Sequence, residues 1–327
     1  MNDGNGRVVV VGSLNLDRRL ELDRLPAAGE TVAARRASTG PGGKGLNQAV
    51  AAARAGARVE LLACRGADEA GDRLEQLIRA EGIGTDGVVV LEDTPTGEAM
   101  VWVDQVGENC IVVVAGANDG MDDRGDDVVG RLGQMALVPA DVVLAQGETS
   151  PAVTARAFAE ARRSGARTIL NLAPYRPPPS DLLAATTVLV VNETEFEGVV
   201  ELARPLGSSG SPRSSGFDDR VAAARAVLGL GPEVVIVTLG AAGAVAVSAE
   251  RVVAVDGLVV AVVDTTGAGD GFVGALAAAM ARAVELDAAL ASATTAASLV
   301  VQRPGAAASM PSRSEIEGAA VRPISGS

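Results

Sequence analysis

The seven residues Asp264-Thr265-Thr266-Gly267-Ala268-Gly269-Asp270 combine two carboxylates with a Gly-Ala-Gly turn. They follow the apolar stretch 258–263 and lead into Gly271-Phe272-Val273-Gly274-Ala275-Leu276, the start of an alanine-rich helical run. The N–H groups of Gly267, Ala268 and Gly269 can therefore converge at a helix N-terminus, where orphan donors and the helix dipole favour an anion. Asp270 is then a carboxylate beside a phosphate-sized nest, able to take a proton from an attacking hydroxyl. That chemistry is phosphoryl transfer, with the three N–H groups facing the developing charge. A plain N-cap aspartate is the alternative.

A second glycine cluster, Gly40-Pro41-Gly42-Gly43-Lys44-Gly45-Leu46-Asn47-Gln48, runs directly into the helical stretch 49–56. Gly40, Gly42 and Gly45 satisfy G-x-G-x-x-G, but a dinucleotide fingerprint needs a buried strand directly before it, and 32–39 is too polar. It also needs an acidic residue about 20 positions on, at a strand end, whereas Glu60 opens its strand. Lys44 is followed by Gly45 rather than Ser or Thr, so this is not a Walker A loop. Near the N-terminus, Asn15 and Asp17 stand two apart and can point to one side of an extended chain. A vicinal diol suits such a carboxylate and amide, and turn capping is the other use. Glu148 follows the strand-like Val142-Val143-Leu144, and Asn192 and Glu195 follow 188–191; both are strand C-termini, where open α/β sheets place ligands.

The two glycine-rich turns, the opening Val8-Val9-Val10-Val11-Gly12-Ser13-Leu14-Asn15-Leu16-Asp17 and the Pro-Ala-Ala-Gly-Glu-Thr of 26–31 resemble the ribokinase-like, or PfkB, family of carbohydrate kinases over nearly the whole chain. The resemblance implies a three-layer αβα sandwich with a mainly parallel central sheet and a small β-sheet lid. It implies ATP- and Mg²⁺-dependent phosphorylation of a primary hydroxyl on a small sugar, with Asp270 as catalytic base. Asn15, Asp17, Gly42, Gly43, Asn47 and Glu148 would contact the sugar; Lys44 would lie beside the hydroxyls or phosphates, or in solvent. Asn192 and Glu195 match the family's Asn-x-x-Glu motif, implied to organise Mg²⁺, its waters and the nucleotide phosphates, with an acidic helix start as the alternative. Thr238 and Gly240, after the strand-like 234–237, resemble the nucleotide turn. Asp264, Thr266, Arg303, Gly305 and Ser309 resemble a monovalent-cation site, for which K⁺ is expected; they could equally brace the loop. Gly271 stands where the family commonly has Thr, and Leu172 where Pro is frequent. The opening strand, the 42–49 turn and Asn171-Leu172-Ala173-Pro174 look most like the family's ribokinases, so D-ribose is the expected substrate. Fructose, 2-keto-3-deoxygluconate or a nucleoside are the alternatives within the family, because one or two lid contacts decide discrimination. A non-catalytic sugar or nucleotide sensor is the alternative of another class, although it could freely lose Asp270, Asn192 and Glu195.

The elements that must position these residues follow from composition. The chain has 327 residues, 48% hydrophobic but only 2% aromatic, so its core is built from Val, Leu, Ile and Ala. Short β-branched runs at 8–11, 188–191 and 234–237 suit buried parallel strands, and the alanine-rich stretches between them argue for helices on both sheet faces. Residues 18–38 and 95–116 alternate polar with apolar instead and read as antiparallel strands, with Gly107-Glu108-Asn109 as a turn; the resemblance implies that they form the lid, with Trp102 as an apolar anchor in it or a sugar contact. The core is then 1–17, 39–94 and 117–327. The Gly/Ser-rich 204–220 is expected to be a flexible insertion and the tail from 322 to fray.

A net charge of −13 disfavours nucleic-acid binding. Two cysteines, Cys64 and Cys110, fit a reducing cytoplasm rather than a disulfide framework. The absence of histidine excludes histidine-based catalysis and disfavours zinc. No signal-peptide pattern or membrane-length apolar run is read, and an exposed lid edge suggests a homodimer.

Overall fold

Valine runs with no polar alternation leave a strand no solvent face, and these runs form the middle of the central sheet. The computed structural model describes residues 6–105, 108–204 and 216–319. In chain order these are β1 (Arg7–Val11), β2 (Asn15–Glu21), β3 (Arg36–Gly42), α1 (Lys44–Arg54), β4 (Arg58–Gly66), α2 (Glu69–Ala80), β5 (Gly84–Leu91), β6 (Gly97–Val103) and β7 (Asn109–Val114). There follow α3 (Gly125–Gln134), β8 (Val142–Gln146), α4 (Pro151–Arg163), β9 (Arg167–Asn171), α5 (Ser180–Ala184), β10 (Val188–Asn192), α6 (Glu193–Leu202) and α7 (Phe217–Leu228). The last part comprises β11 (Val234–Thr238), β12 (Ala244–Ser248), β13 (Val252–Val255), α8 (Ala268–Ala281), α9 (Leu286–Val300) and α10 (Arg313–Ala319).

The large sheet has the order β13-β12-β11-β10-β9-β8-β1-β4-β5, parallel from β11 to β5 and antiparallel across β11-β12-β13. Side chains alternate between its faces: Val8 and Val10 join one core with α1, α2, α8 and α9, while Val9 and Val11 join the other with α3, α4, α6 and α7. The first core is alanine-dense, which lets helices approach closely. A Cβ on Gly274 of α8 would stand 2.4 Å from Ala51 Cβ and 2.8 Å from Ala52 N on α1. This is the expected αβα sandwich.

The small sheet has the order β3-β2-β6-β7. Its pairing runs from Asn15↔Gly42 to Glu21↔Arg36 and from Asn15↔Gly97 to Glu21↔Val103. The expected lid edges at 18 and 38 therefore move outward: Asn15–Asp17 and 39–42 are rungs of this sheet. Sequence pattern hid this because Gly40-Pro41-Gly42 carries no strand signal; pairing to β2 makes it extended. On one face Asn15, Asp17 and Arg19 align with Ala99, Val101, Ile111 and Val113; Trp102 points to the other face, opposite Leu20 and Cys110. Of the expected insertion, 205–215 lies outside the described residues, and 217–220 is the first turn of α7. Gly107 and the tail from 322 also lie outside them. Among the described residues no helix is long and apolar enough to cross a membrane.

Candidate active site

Helices α1 and α8 run parallel. Asn47 and Gln48 meet Asp270, and one turn further on Ala51 and Ala52 meet Gly274, so both N-termini open at the same end. Each is preceded by a glycine with positive φ, Gly43 at 86° and Gly267 at 78°, a conformation costly for any residue with a Cβ. Two helix N-termini aimed at one place supply roughly half a positive charge each.

Three cavities meet there. One of about 510 Å³ lies beneath the lid and is lined by Asn15, Asp17, Gly43, Lys44, Asn47, Glu148 and Asp270. A second, of about 250 Å³, is lined by Lys44, Asn192, Glu195, Thr238 and the turn of Gly267, Ala268, Gly269 and Asp270. A third, of about 420 Å³, is mainly apolar and includes Thr238, Gly240, Ala268, Gly269 and Phe272. Asp270 and Lys44 belong to both the first and the second.

Asp270 is buried and does not cap its own helix, whose N-cap is Gly267. Instead Asn47 Nδ2 donates to its Oδ2 and Gln48 Nε2 to its Oδ1, each at 2.9 Å. Burial pushes its pKa up, opposed by Lys44 and by these two amides. The first-turn N–H groups of α8 have no intrahelical partners; that of Ala268 reaches Thr265 O at 3.3 Å.

On the lid side, burial followed by repulsion from Glu148 and Asp270 pushes the Asp17 carboxyl from 3.8 to about 7. Its Oδ1 is buried with no partner, and a Cβ at Gly42 would lie 2.0 Å from it, so Gly42 makes room for this carboxylate. Asn15 Oδ1 accepts from Asn118 Nδ2 at 2.8 Å, leaving its amide nitrogen to donate. Asn47 Oδ1 is likewise buried and unpartnered, so its amide holds Asp270 with one end and offers an acceptor with the other. Glu148 Oε2 accepts from Ser13 Oγ at 2.6 Å and from the Lys44 main-chain N–H at 2.8 Å, which anchors the start of α1. The Lys44 pKa is raised by attraction to Asp270, against burial, with help from Glu148 and Glu195.

Asn192 and Glu195 form a capping box on α6: Asn192 Oδ1 accepts from Glu195 N at 2.8 Å, and Glu195 Oε2 from Asn192 N at 2.9 Å. The helix-start alternative is thus realised, yet both residues also face the second cavity. Burial raises the Glu195 pKa, and its Oε1 is the oxygen left for a ligand. Asp264 has no such freedom. Its Oδ1 accepts from Thr266 N at 2.9 Å, and its Oδ2 from Gly305 N at 3.0 Å and Arg19 Nη1 at 3.2 Å. Burial acts upward on Asp264, but the Thr266 hydroxyl, these N–H groups and Arg19 outweigh it and hold its pKa at about 2. The Arg303 guanidinium pairs with Glu315, and Ser309 Oγ donates to Ala306 O at 2.7 Å. Arg303 and Ser309 line none of the three cavities. Asp264 and Ser309 of the expected cation site thus also brace the loops around it.

Several site residues went unassigned in the sequence. Gln48, Gln146 and Asn171 form a buried amide cluster under Asp270, and Asn118 holds both Leu14 main-chain groups as well as Asn15. The signal for Gln48 was a polar residue on the apolar face of an alanine-rich helix; Asn118, 103 positions from Asn15, had none.

The pfkB family carbohydrate kinase model matches residues 5–313. The chain is 32% identical to the ribokinase of Haemophilus influenzae over 308 residues, 94% of this chain and 96% of that one. It is 34% identical over 317 residues, 95% of this chain, to a bifunctional ribokinase/ribose-5-phosphate isomerase A of Fructilactobacillus sanfranciscensis, and spans 55% of that longer protein. The structure of Arabidopsis thaliana ribokinase complexed with ribose and ATP superposes with a TM-score of 0.83 at 31% identity, covering 96% of this chain and 98% of that one. The chain belongs to the pfkB family of carbohydrate kinases.

Proposed function

We propose that this chain is an ATP-dependent kinase of D-ribose, transferring the γ-phosphate to the primary hydroxyl. One observation carries the reading: a buried carboxylate, Asp270, stands at the junction of the cavity under the lid, which carries Asn15, Asp17, Asn47 and Glu148, and a second cavity at the α8 N-terminus. The sugar occupies the first cavity, where Asp17 accepts from a vicinal diol and Asn15, Asn47 and Glu148 complete the contacts. The nucleotide base occupies the apolar third cavity beside Thr238 and Gly240. Its phosphates occupy the second, against the first-turn N–H groups and Lys44. The sugar hydroxyl oxygen bonds to the γ-phosphorus, the bond from that phosphorus to the ADP oxygen breaks, and the hydroxyl proton passes to Asp270. Gly267, Ala268 and Gly269 direct N–H groups at the charge on the transferring phosphoryl.

Mg²⁺ fits the free Glu195 Oε1 through water, beside the phosphates, and would neutralise their charge. Among the described residues no cluster of three or more acidic or cysteine side chains forms a ready metal cage. No step depends on K⁺. A second copy of the chain is the expected partner of the lid: Ile111, Val112, Val113 and Val114 on edge strand β7 are each about half exposed.

ADP release measured with Mg²⁺-ATP against ribose, 2-deoxyribose, fructose, 2-keto-3-deoxygluconate and adenosine tests the substrate; preference for another sugar would sink the ribose assignment. Asp270→Asn should lower turnover at least about 10²-fold while sugar binding by calorimetry persists.

A further inference from the structure

Beneath Asp270 lies a run of buried amides that nothing in the reaction above uses. Gln146 ends β8, Asn171 ends β9, and Val190 lies in β10; the register pairs Gln146 with Asn171 and Asn171 with Val190, making one rung across three strands. Gln48 of α1, fully buried, sits over that rung. Its Nε2 donates to Asn171 Oδ1 and to Asp270 Oδ1, both at 2.9 Å, and its Oε1 accepts from Gln146 Nε2 at 2.8 Å.

The direction of these bonds is set from the main chain. Asn171 Nδ2 donates to the Val190 carbonyl at 3.3 Å, which turns Asn171 Oδ1 toward Gln48. Only the Nε2 end of Gln48 can meet that oxygen and a carboxylate, so both of its hydrogens are committed and its oxygen faces Gln146. A flipped Gln48 would press an acceptor against two acceptors at a buried position. Asp270 thus has one oxygen held from the sheet side by Gln48 and the other held by Asn47, a residue of the sugar cavity.

We propose that Gln48 is a positioning residue for the base: by holding Oδ1 toward the sheet, it leaves Oδ2, on the sugar-cavity side, as the oxygen that takes the hydroxyl proton. This rests on the reading of Asp270 as the base. Gln48 also favours the ionised carboxylate, working with Lys44 and Asn47 against burial and against the Glu148 charge; Asp17 of β2 faces the same cavity, and Glu195 of α6 acts on Lys44. Loss of its donor should move Asp270 protonation to higher pH.

The test replaces Gln48 by Met, which keeps the length and removes the donor, and measures single-turnover phosphoryl transfer from pH 5 to 9 alongside sugar KM and melting temperature. The expected result is a rate lower by about tenfold or more at neutral pH, a sugar KM within about twofold, and an acidic limb moved to higher pH. A role in packing alone would lower the melting temperature without moving the limb. An unchanged rate and limb in folded Gln48→Met would overturn the inference. Should that variant not fold, Gln146→Met removes the donor to Gln48 Oε1 without touching Asp270; the same two quantities decide, with a smaller expected change and with wild-type values counting against. Asp270→Asn is run in parallel. Near-normal turnover there would remove the base reading itself, whereas an inactive Asp270→Asn beside a wild-type Gln48→Met would remove only the role of Gln48.

Discussion

Asp17 gives the sharpest test of how the site is held, because its effect on stability has the opposite sign to its proposed effect on binding. Its pKa rises from 3.8 to about 7 on folding, through burial first and then the charges of Glu148 and Asp270. The folded state therefore holds the Asp17 proton more tightly than the unfolded chain does. The cost is absent below about pH 4, grows as the pH rises between the two values, and is present in full above about 7. A rise from 3.8 to about 7 corresponds to about 4 kcal/mol at pH 8. Asp17→Asn removes the charge and keeps the shape. For a chain of this length about 1 kcal/mol moves the melting temperature by about 1.5 °C, so the variant should melt about 6 °C higher at pH 8, with the gap closing toward pH 4. Scanning calorimetry at pH 8, 7, 6 and 5 reads this directly, and ribose titration on the same samples should show affinity lost by about 10²-fold where the wild-type carboxylate is ionised. An Asp17→Asn protein that melts no higher at pH 8, or gains equally at every pH, would refute the account of Asp17 as a buried carboxylate held for a ligand.

Gly42→Ala places a Cβ 2.0 Å from the same carboxylate, and is expected to raise the sugar KM about tenfold or more with little change in the KM for ATP; equal changes in both would point to a general disturbance of α1. Lys44→Met should act oppositely to Asp17→Asn. The raised ammonium pKa contributes stability that is complete below 10.5 and lost only as the pH passes the higher folded value. Removing this cation from among Asp270, Glu148 and Glu195 should cost about 3 kcal/mol at pH 8, measured as a melting temperature about 4–5 °C lower, and less at acidic pH, as Asp270 and Glu195, whose pKa values are raised, take up protons.

What the sequence made legible was local. A glycine turn opening a helix, a carboxylate after a valine run and a Gly-Ala-Gly nest are each contained within a few residues, and Asp270, Glu148, Asn192 and Glu195 emerged from such segments. What it hid depends on register. Gln146 and Asn171 become neighbours only because β8 and β9 pair with those two residues opposite, and Asn118 reaches Asn15 only because the turn after β7 returns to the end of β1. The apolar run 258–263 shows the same limit in another way. It forms no strand, and its Val259, Val262 and Val263 are strongly exposed; Val259 and Val262 wall the third cavity. Hydrophobic composition marks apolar surface but does not say whether protein or ligand will cover it.

The charge arrangement explains how so acidic a chain can receive a nucleotide. Asp17, Glu148, Glu195 and Asp270 face a single ammonium, Lys44, on a molecule of net charge −13. Were all four carboxylates ionised and unattached, a polyphosphate would be repelled from both far and near. Each is moderated differently: Asp17 is half protonated near neutrality, Glu148 is bonded to Ser13 and the α1 terminus, the Glu195 pKa is raised within its capping box, and Asp270 is fixed by amides. Asp264, three residues before the nest, is paired with Arg19 from the lid. What the second cavity offers an anion is then the N-terminus of α8 with the Lys44 ammonium beside it. The same parallel packing fixes where Asp270 and the nest, neighbours in the first turn of α8, stand relative to Lys44 and Asn47 of α1. The close contact of Gly274 with α1 is therefore as much part of the proposed chemistry as the carboxylate, because it brings the proposed base, Lys44 and the proposed anion-binding turn to one point from segments more than 200 residues apart.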